Sequence, residues 1–286
     1  MNKAFILIAF FYGSMAFDPA AAQGNSAAQP GIHRLQKLWE TDTVVDNPES
    51  VLPDEKKNIL YVSQIGGNPN AVDGIGGVAK IGTDGHVIDL SWITGLNSPK
   101  GLGRYQNTLY AADLTEVVVI DMTQRKVVRK IPVEGAGMLN DITVSDSGIV
   151  YVSDTKTAKV HRIERDGTVS TWLTGMKGAN GLKAMGNDLY ILSGQDFLKA
   201  GPDRRITQVA RLDHGGDGLE PLGNGDFLAT AWAGYIYYVY ADGRVELLLD
   251  THAQKKNSAD IGYDPVHKIV FVPSFFGKTV AAYRLD

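Results

Sequence analysis

Val150-Tyr151-Val152-Ser153-Asp154 is a short apolar run closed by a hydroxyl and a carboxylate, and the chain repeats it. Related runs are Leu60-Tyr61-Val62-Ser63, Leu109-Tyr110-Ala111-Ala112-Asp113 and Leu189-Tyr190-Ile191-Leu192-Ser193. Two more are Phe227-Leu228-Ala229-Thr230 and Val270-Phe271-Val272-Pro273-Ser274. Their aromatic residues stand 49, 41, 39, 37 and 44 positions apart. A period of about 40 residues, built of short strands, marks a β-propeller. Asp84-Gly85, Asp166-Gly167 and Asp242-Gly243 are turn dipeptides suited to hairpins between outer strands. No window sustains a helical period. The expected fold is all-β, a six-bladed β-propeller with four antiparallel strands per blade.

The two ends of the repeat region explain how such a ring closes. After the last copy only Thr279–Leu285 (TVAAYRL) remains, enough for one strand and not two. Residues 35–41 (LQKLWET) precede the first inner strand and belong to no repeat. Pairing them with the end of the chain completes the last blade and removes an exposed edge. The propeller domain is therefore expected over residues 35–286.

Composition narrows the partners. The 286 residues include 32 Gly, 12 Tyr and 9 Phe, which suits many tight turns between aromatic-rich strands. Lys plus Arg is 28 and Asp plus Glu is 32, a net charge of −4. A slightly acidic chain lacks the basic face that phosphate neutralisation needs, so no nucleic-acid partner is expected. No basic cluster suggests an anionic membrane surface. Cysteine is absent, which excludes disulfides, thiolate metal sites and cysteine nucleophiles.

The N-terminus reads as a targeting segment. Lys3 precedes an apolar stretch at residues 4–17, and Ala20-Ala21-Ala22 offers the small residues a signal peptidase requires. Fourteen residues rise only ~21 Å as a helix, short of the ~30 Å hydrocarbon core, so export fits better than anchoring. The expected organisation is a signal peptide at 1–22, a flexible leader at 23–34 and then the propeller. The mature protein is expected to be a monomer outside the cytoplasm, periplasmic or secreted from a bacterium, with no membrane contact once the signal is removed.

Ten to twelve residues before each aromatic, where the innermost strand begins, stand Glu49, Lys100, Asn140, Asn180, Asp217 and Asp260. Inner strands of a propeller converge on the central channel, so these six are expected to form one polar ring. Turn chemistry offers a plainer account, because Asn-Gly and Asp-Gly are common turn dipeptides whose side chains cap their own backbone. Glu49 and Lys100 do not fit that account. They are poor turn cappers, and charges crowded at a channel mouth are costly unless paired or metal-bound.

Glu49 after Pro48, Asn140-Asp141, Asn180-Gly181 and Asp217-Gly218, one per blade, resemble the gluconolactonase, regucalcin and luciferin-regenerating enzyme family. The resemblance covers about residues 35–286. It implies a six-bladed propeller with one divalent cation at the channel mouth and hydrolysis of a lactone or other ester of a small molecule. By motif position it implies Glu49, Asn180 and Asp217 as direct metal ligands, with Asn140 touching the metal through water or holding substrate. Asp217 stands where the family has its general base. Lys100 is not a usual ring member, and the glycine that commonly follows the glutamate is replaced by Ser50.

The residues themselves favour the same chemistry. All candidate ligands are oxygen donors, which suits Ca²⁺ first, with Mg²⁺ or Zn²⁺ as the alternatives. An open site of this kind polarises a carbonyl and acidifies a bound water, and a neighbouring carboxylate takes the proton. A non-catalytic propeller that binds a small ligand or a protein around a structural metal is the competing expectation.

Several features stay open. Lys100 is either a counter-ion for Asp260 or a hand for a substrate carboxylate or oxyanion, so both join Asn140 as candidate substrate contacts. His214, three residues before Asp217, is either an acid or base at the rim or an ordinary loop histidine. The first repeat is the longest, and its excess lies in residues 64–77 (QIGGNPNAVDGIGG), either a mobile lid or a passive insertion. Its Asp73-Gly74-Ile75-Gly76-Gly77 lacks the spacing of a calcium or phosphate loop. No G-x-S-x-G supports serine chemistry. Trp39, Trp92, Trp172 and Trp232 read as core.

Overall fold

Runs of five or six mostly apolar residues supply the middle strands of each repeat's small sheet, and stacking those sheets side by side buries both of their faces. The computed structural model describes residues 33–286, and the expected signal peptide and most of the leader lie outside them. Six four-stranded antiparallel sheets stand around a central channel. Blades 1 to 5 run consecutively over residues 48–96, 99–132, 139–174, 179–211 and 216–250. Blade 6 takes three strands from 262–285 and its outer strand, Leu35–Glu40, from the start of the domain. Gly85, Gly167 and Gly243 turn the outer hairpins at φ between +88° and +93°, a region that only glycine enters freely.

Six apolar clusters, one per gap between blades, hold the described ring together. Tyr61 and Trp92 of blade 1 pack with Val118 and Ile120 of blade 2. Phe271 and Val280 of blade 6 pack with Val51 and Leu60 of blade 1. A large side chain buried this fully contributes about 2 kcal/mol. The aromatic of each repeat therefore serves the gap between blades.

The carboxylate that ends several repeats has a structural task. Asp113 accepts the N–H groups of Asn97 and Ser98 at 3.0 and 2.6 Å, and Asp154 those of Gly137 and Met138 at 2.9 and 3.0 Å. Each caps the loop that delivers the inner strand of its own blade to the channel.

Closure of the ring follows the expected pairing, Leu35 opposite Leu285 through Glu40 opposite Ala281. It also reaches further back than the expected boundary. Arg34 and Asp286 exchange backbone hydrogen bonds at 3.2 and 3.0 Å, and the His33 ring stacks on Tyr238 at 3.8 Å while bonding Glu246. His33 and Arg34, placed in the leader by composition, are thus packed against blades 5 and 6.

Glu40 ties the closing strand down. It accepts hydrogen bonds from Lys256 at 2.7 Å, from Thr279 at 2.8 Å and from Lys37. Burial alone would push its carboxyl up, but these donors outweigh it and hold the pKa down to about 2. A depressed carboxyl pKa stabilises the fold above its unfolded value near 4.5, and that contribution is lost as pH falls toward 2. Glu40→Gln should therefore lower the melting temperature at neutral pH, with the deficit vanishing near pH 2. The pair is partly exposed, so the deficit should be about 1 kcal/mol or less. A pH-independent deficit in thermal melts would contradict this account.

Candidate functional site

The five complete inner strands share one irregularity. Pro48, Pro99, Leu139, Ala179 and Gly216 pair with their neighbours, two residues then leave the ladder, and pairing resumes at Val51, Leu102, Ile142, Leu182 and Leu219. Such a bulge re-aims side chains. The first residue of each released pair is Glu49, Lys100, Asn140, Asn180 or Asp217, and all five line one cavity of about 530 Å³ at the channel mouth. Five of the six expected ring members are brought together.

Asp260 is not among them. It bridges Ser50, the second residue of the first pair, and its Oδ2 accepts the Ser50 hydroxyl at 2.5 Å. Asp260 therefore lies one level deeper and lines a separate cavity from the other end of the channel. Its place in the upper ring belongs to Ala259. The hairpins joining first and second strands enclose between two and five residues, as at Tyr105–Thr108 and Val144–Val150. Distance from the aromatic is thus an uneven ruler, and a slip of one residue changes level.

The deeper level is where the blades nearly touch. A Cβ on Gly181 would meet the Asp217 carbonyl oxygen at 2.3 Å, and one on Gly218 would meet the Ile261 nitrogen at 2.5 Å. Asp141 fills the same level in blade 3, where its carboxylate accepts the backbone N–H groups of Ile142 and Leu182, both at 2.6 Å. It cross-links blades 3 and 4.

The upper ring carries uncompensated polarity. Burial, reinforced by the Asp217 and Asp260 carboxylates and opposed by Lys100, pushes the Glu49 carboxyl well above its usual range. Burial pushes Asp217 up to about 7 against a hydrogen bond from Asn180 at 2.7 Å. Glu49 Oε2 and Asn140 Oδ1 are buried without any hydrogen-bond partner. The Asn140 amide nitrogen is taken by Thr155 Oγ1 at 3.0 Å, whose own proton goes to the Ala179 carbonyl at 2.5 Å. That relay leaves the Asn140 oxygen for the cavity. Among the described residues no three His, Cys, Asp or Glu side chains converge on one point. A cation here would take two carboxylates and two amides, an all-oxygen set that suits a hard divalent ion.

Lys100 does not pair with Asp260. Its ammonium donates to Ser98 Oγ at 2.9 Å, to the Ser98 carbonyl at 3.3 Å and to the Pro69 carbonyl at 3.5 Å. Burial lowers its pKa, with Glu49 and Asp113 as the opposing charges. The carboxylates that act on it are thus those of Glu49 and Asp113, not Asp260. Pro69, with Ile65 and Gly67, belongs to the long loop of the first repeat, which does return over the ring and line its cavity.

His214 stacks on Tyr235 at 3.9 Å and shares a 2.8 Å hydrogen bond with the Tyr237 hydroxyl, away from the cavity lining. Trp92 and Trp172 are buried as expected, but Trp232 is 38% exposed at the cavity mouth, beside Phe275 and Phe276. All three follow the second strand of their blade, as residues 64–77 do. That shared position is the signal by which they could have been found.

With this geometry in place, solved structures supply a comparison. The chain is similar to a streptogramin B lyase at 9% identity, covering 89% of this chain and 97% of that one, with a TM-score of 0.64. It is also similar to virginiamycin B lyase from Staphylococcus aureus at 11% identity, covering 88% and 99%, with a TM-score of 0.63. The likeness is one of fold. No protein-family profile and no curated protein matches the sequence.

Proposed function

We propose that this chain is a metal-dependent hydrolase of a lactone or related ester, acting at the mouth of the propeller channel. The observation that carries the reading is the pair of buried, unpartnered oxygens, Glu49 Oε2 and Asn140 Oδ1, in a cavity that also holds Asp217 and Asn180. Unpaired buried acceptors and clustered carboxylates are costly unless a cation completes them. Glu49, Asn140, Asn180 and Asp217 would hold it. A divalent ion such as Ca²⁺, when bound, supplies polarisation of the ester carbonyl and a more acidic water.

The chain's own groups do the rest. Asp217 takes the proton of the attacking water and later returns it to the leaving alcohol. Asn180 orients the Asp217 carboxylate through its amide nitrogen. Thr155 fixes which end of the Asn140 amide faces the substrate. Lys100 and Ser98, both bonded to Pro69, hold the long loop over the cavity and exclude water.

The test is turnover of a lactone panel before and after chelation, with Ca²⁺ added back and products weighed by mass spectrometry. Hydrolysis adds one water to the substrate and should depend on the added ion. The two structural neighbours are described as lyases, and elimination would instead give an unsaturated product with no added water. If chelation leaves every activity unchanged, the metal-dependent reading falls. If no member of the panel reacts, the hydrolase reading falls and a non-catalytic binding propeller with a structural metal remains.

A further inference from the structure

The polar ring accounts for the floor of the cavity but not for its wall. Trp232, Phe275 and Phe276 form a continuous aromatic surface, with ring centroids 5.2, 6.1 and 5.1 Å apart. Ile65 and Met138 also line the cavity. Packing between blades does not require this surface, because none of the three aromatics belongs to an inter-blade cluster. Phe276 is 68% exposed, which is costly for a phenyl ring with no structural duty. The described charged groups at the opposite end of the channel are instead partnered. There Lys183 pairs with Glu220 at 2.6 Å, and Asp141 and Asp260 are bonded to neighbouring blades.

We infer that the cavity takes neutral esters or lactones carrying an aromatic or alkyl group, and discriminates against polyhydroxylated sugar lactones and acidic substrates. This rests on the hydrolase reading for the chemistry at the ring, but the wall stands independently of it. A sugar lactone carries a hydroxyl on almost every carbon, and each needs a partner when buried. Besides the Asn47 amide, whose nitrogen donates to the Phe275 carbonyl at 3.5 Å, the wall offers one indole N–H and a thioether. A substrate carboxylate fares no better, because Lys100 already has three protein acceptors in Ser98 and Pro69. An apolar group laid on Trp232 and Phe276 removes their exposed surface from water while the ester carbonyl reaches the ring.

The experiment compares a δ-lactone bearing a long alkyl tail with glucono-δ-lactone, using kcat/KM on the wild type and on Trp232→Ala and Phe276→Ala. The wild type should prefer the alkyl lactone by at least about 50-fold, and each variant should cut that preference about tenfold. Preference for the sugar lactone, or equal losses on both substrates, would overturn the inference. A binding arm separates it from the hydrolase reading. Titrating Asp217→Asn with the alkyl lactone should change tryptophan fluorescence, and the change should be lost in Asp217→Asn/Trp232→Phe. If neither lactone is turned over but this signal is present, the hydrolase reading fails and the apolar site stands. If turnover and signal are both absent, the apolar site falls as well.

Discussion

Asp217→Ala should abolish hydrolysis of any lactone the wild type turns over, with a loss of at least about 10³-fold in kcat/KM, while the propeller stays folded. The loss combines a general base, worth roughly 10²–10⁴-fold, with a ligand of the cation. Fold survival follows from where the side chain sits. Asp217 is 1% exposed, its one side-chain partner is Asn180, and its charge acts against Glu49 in the same ring. Removing a like charge from a buried cluster relieves repulsion, so the metal-free variant should melt at or above the wild-type temperature. Added Ca²⁺ should raise the melting point of the wild type and leave the variant nearly unmoved, because only a bound ion stabilises. Near-normal turnover by Asp217→Ala would show that the ring has been misassigned.

Gly101→Ala should cost more than about 3 kcal/mol, at the upper end of what overpacking produces. The cause is space. A Cβ there would stand 2.5 Å from Asp141 Oδ1, 2.6 Å from Asp141 Cα and 2.7 Å from the Ile142 nitrogen. Two of those three atoms are backbone of the neighbouring blade and cannot rotate away. Gly186→Ala is the contrast. Gly186 has φ +58° and nothing within 4 Å of an added Cβ, so the cost should be about 1 kcal/mol of left-handed strain. Urea unfolding of both variants measures the difference. Equal losses would show that backbone conformation, and not crowding at the channel axis, decides stability here.

How much of this molecule can be read before folding depends on which contacts a residue serves. Tyr61, Tyr110, Tyr151 and Tyr190 announce the blades because strands packed between two neighbours must be apolar, and that constraint recurs at every repeat. Residues 35–41 reveal ring closure because an unmatched strand needs a partner. Glu49, Lys100, Asn140, Asn180 and Asp217 are legible because the same bulge recurs in five blades. Asp260 is misplaced by one level because hairpin lengths vary, and Lys100 is assigned the wrong partner as a consequence. His214 lies close to Asp217 along the chain, yet the bulge at Gly216 sends the two in different directions. Trp232, Phe275 and Phe276 hide for another reason. A tryptophan or phenylalanine after a strand looks the same whether it fills a gap between blades or faces a cavity, and only the return of the loop to the ring's face separates the two.

The pairing of Leu35 with Leu285 also sets an order of events during synthesis. The two residues are 250 positions apart, so the first of the described strands to be made is the last of them to be paired. Five blades can stack as they emerge, each packing on the one before it. The sixth waits for the final strand, and until then Leu35–Glu40 travels as an open edge. The wait is inexpensive in entropy, since doubling a loop's length costs only ~0.6 kcal/mol. What it demands is time. Until Thr279–Leu285 has been made, Leu35–Glu40 keeps an unpaired edge, and one pairing step then closes the described ring.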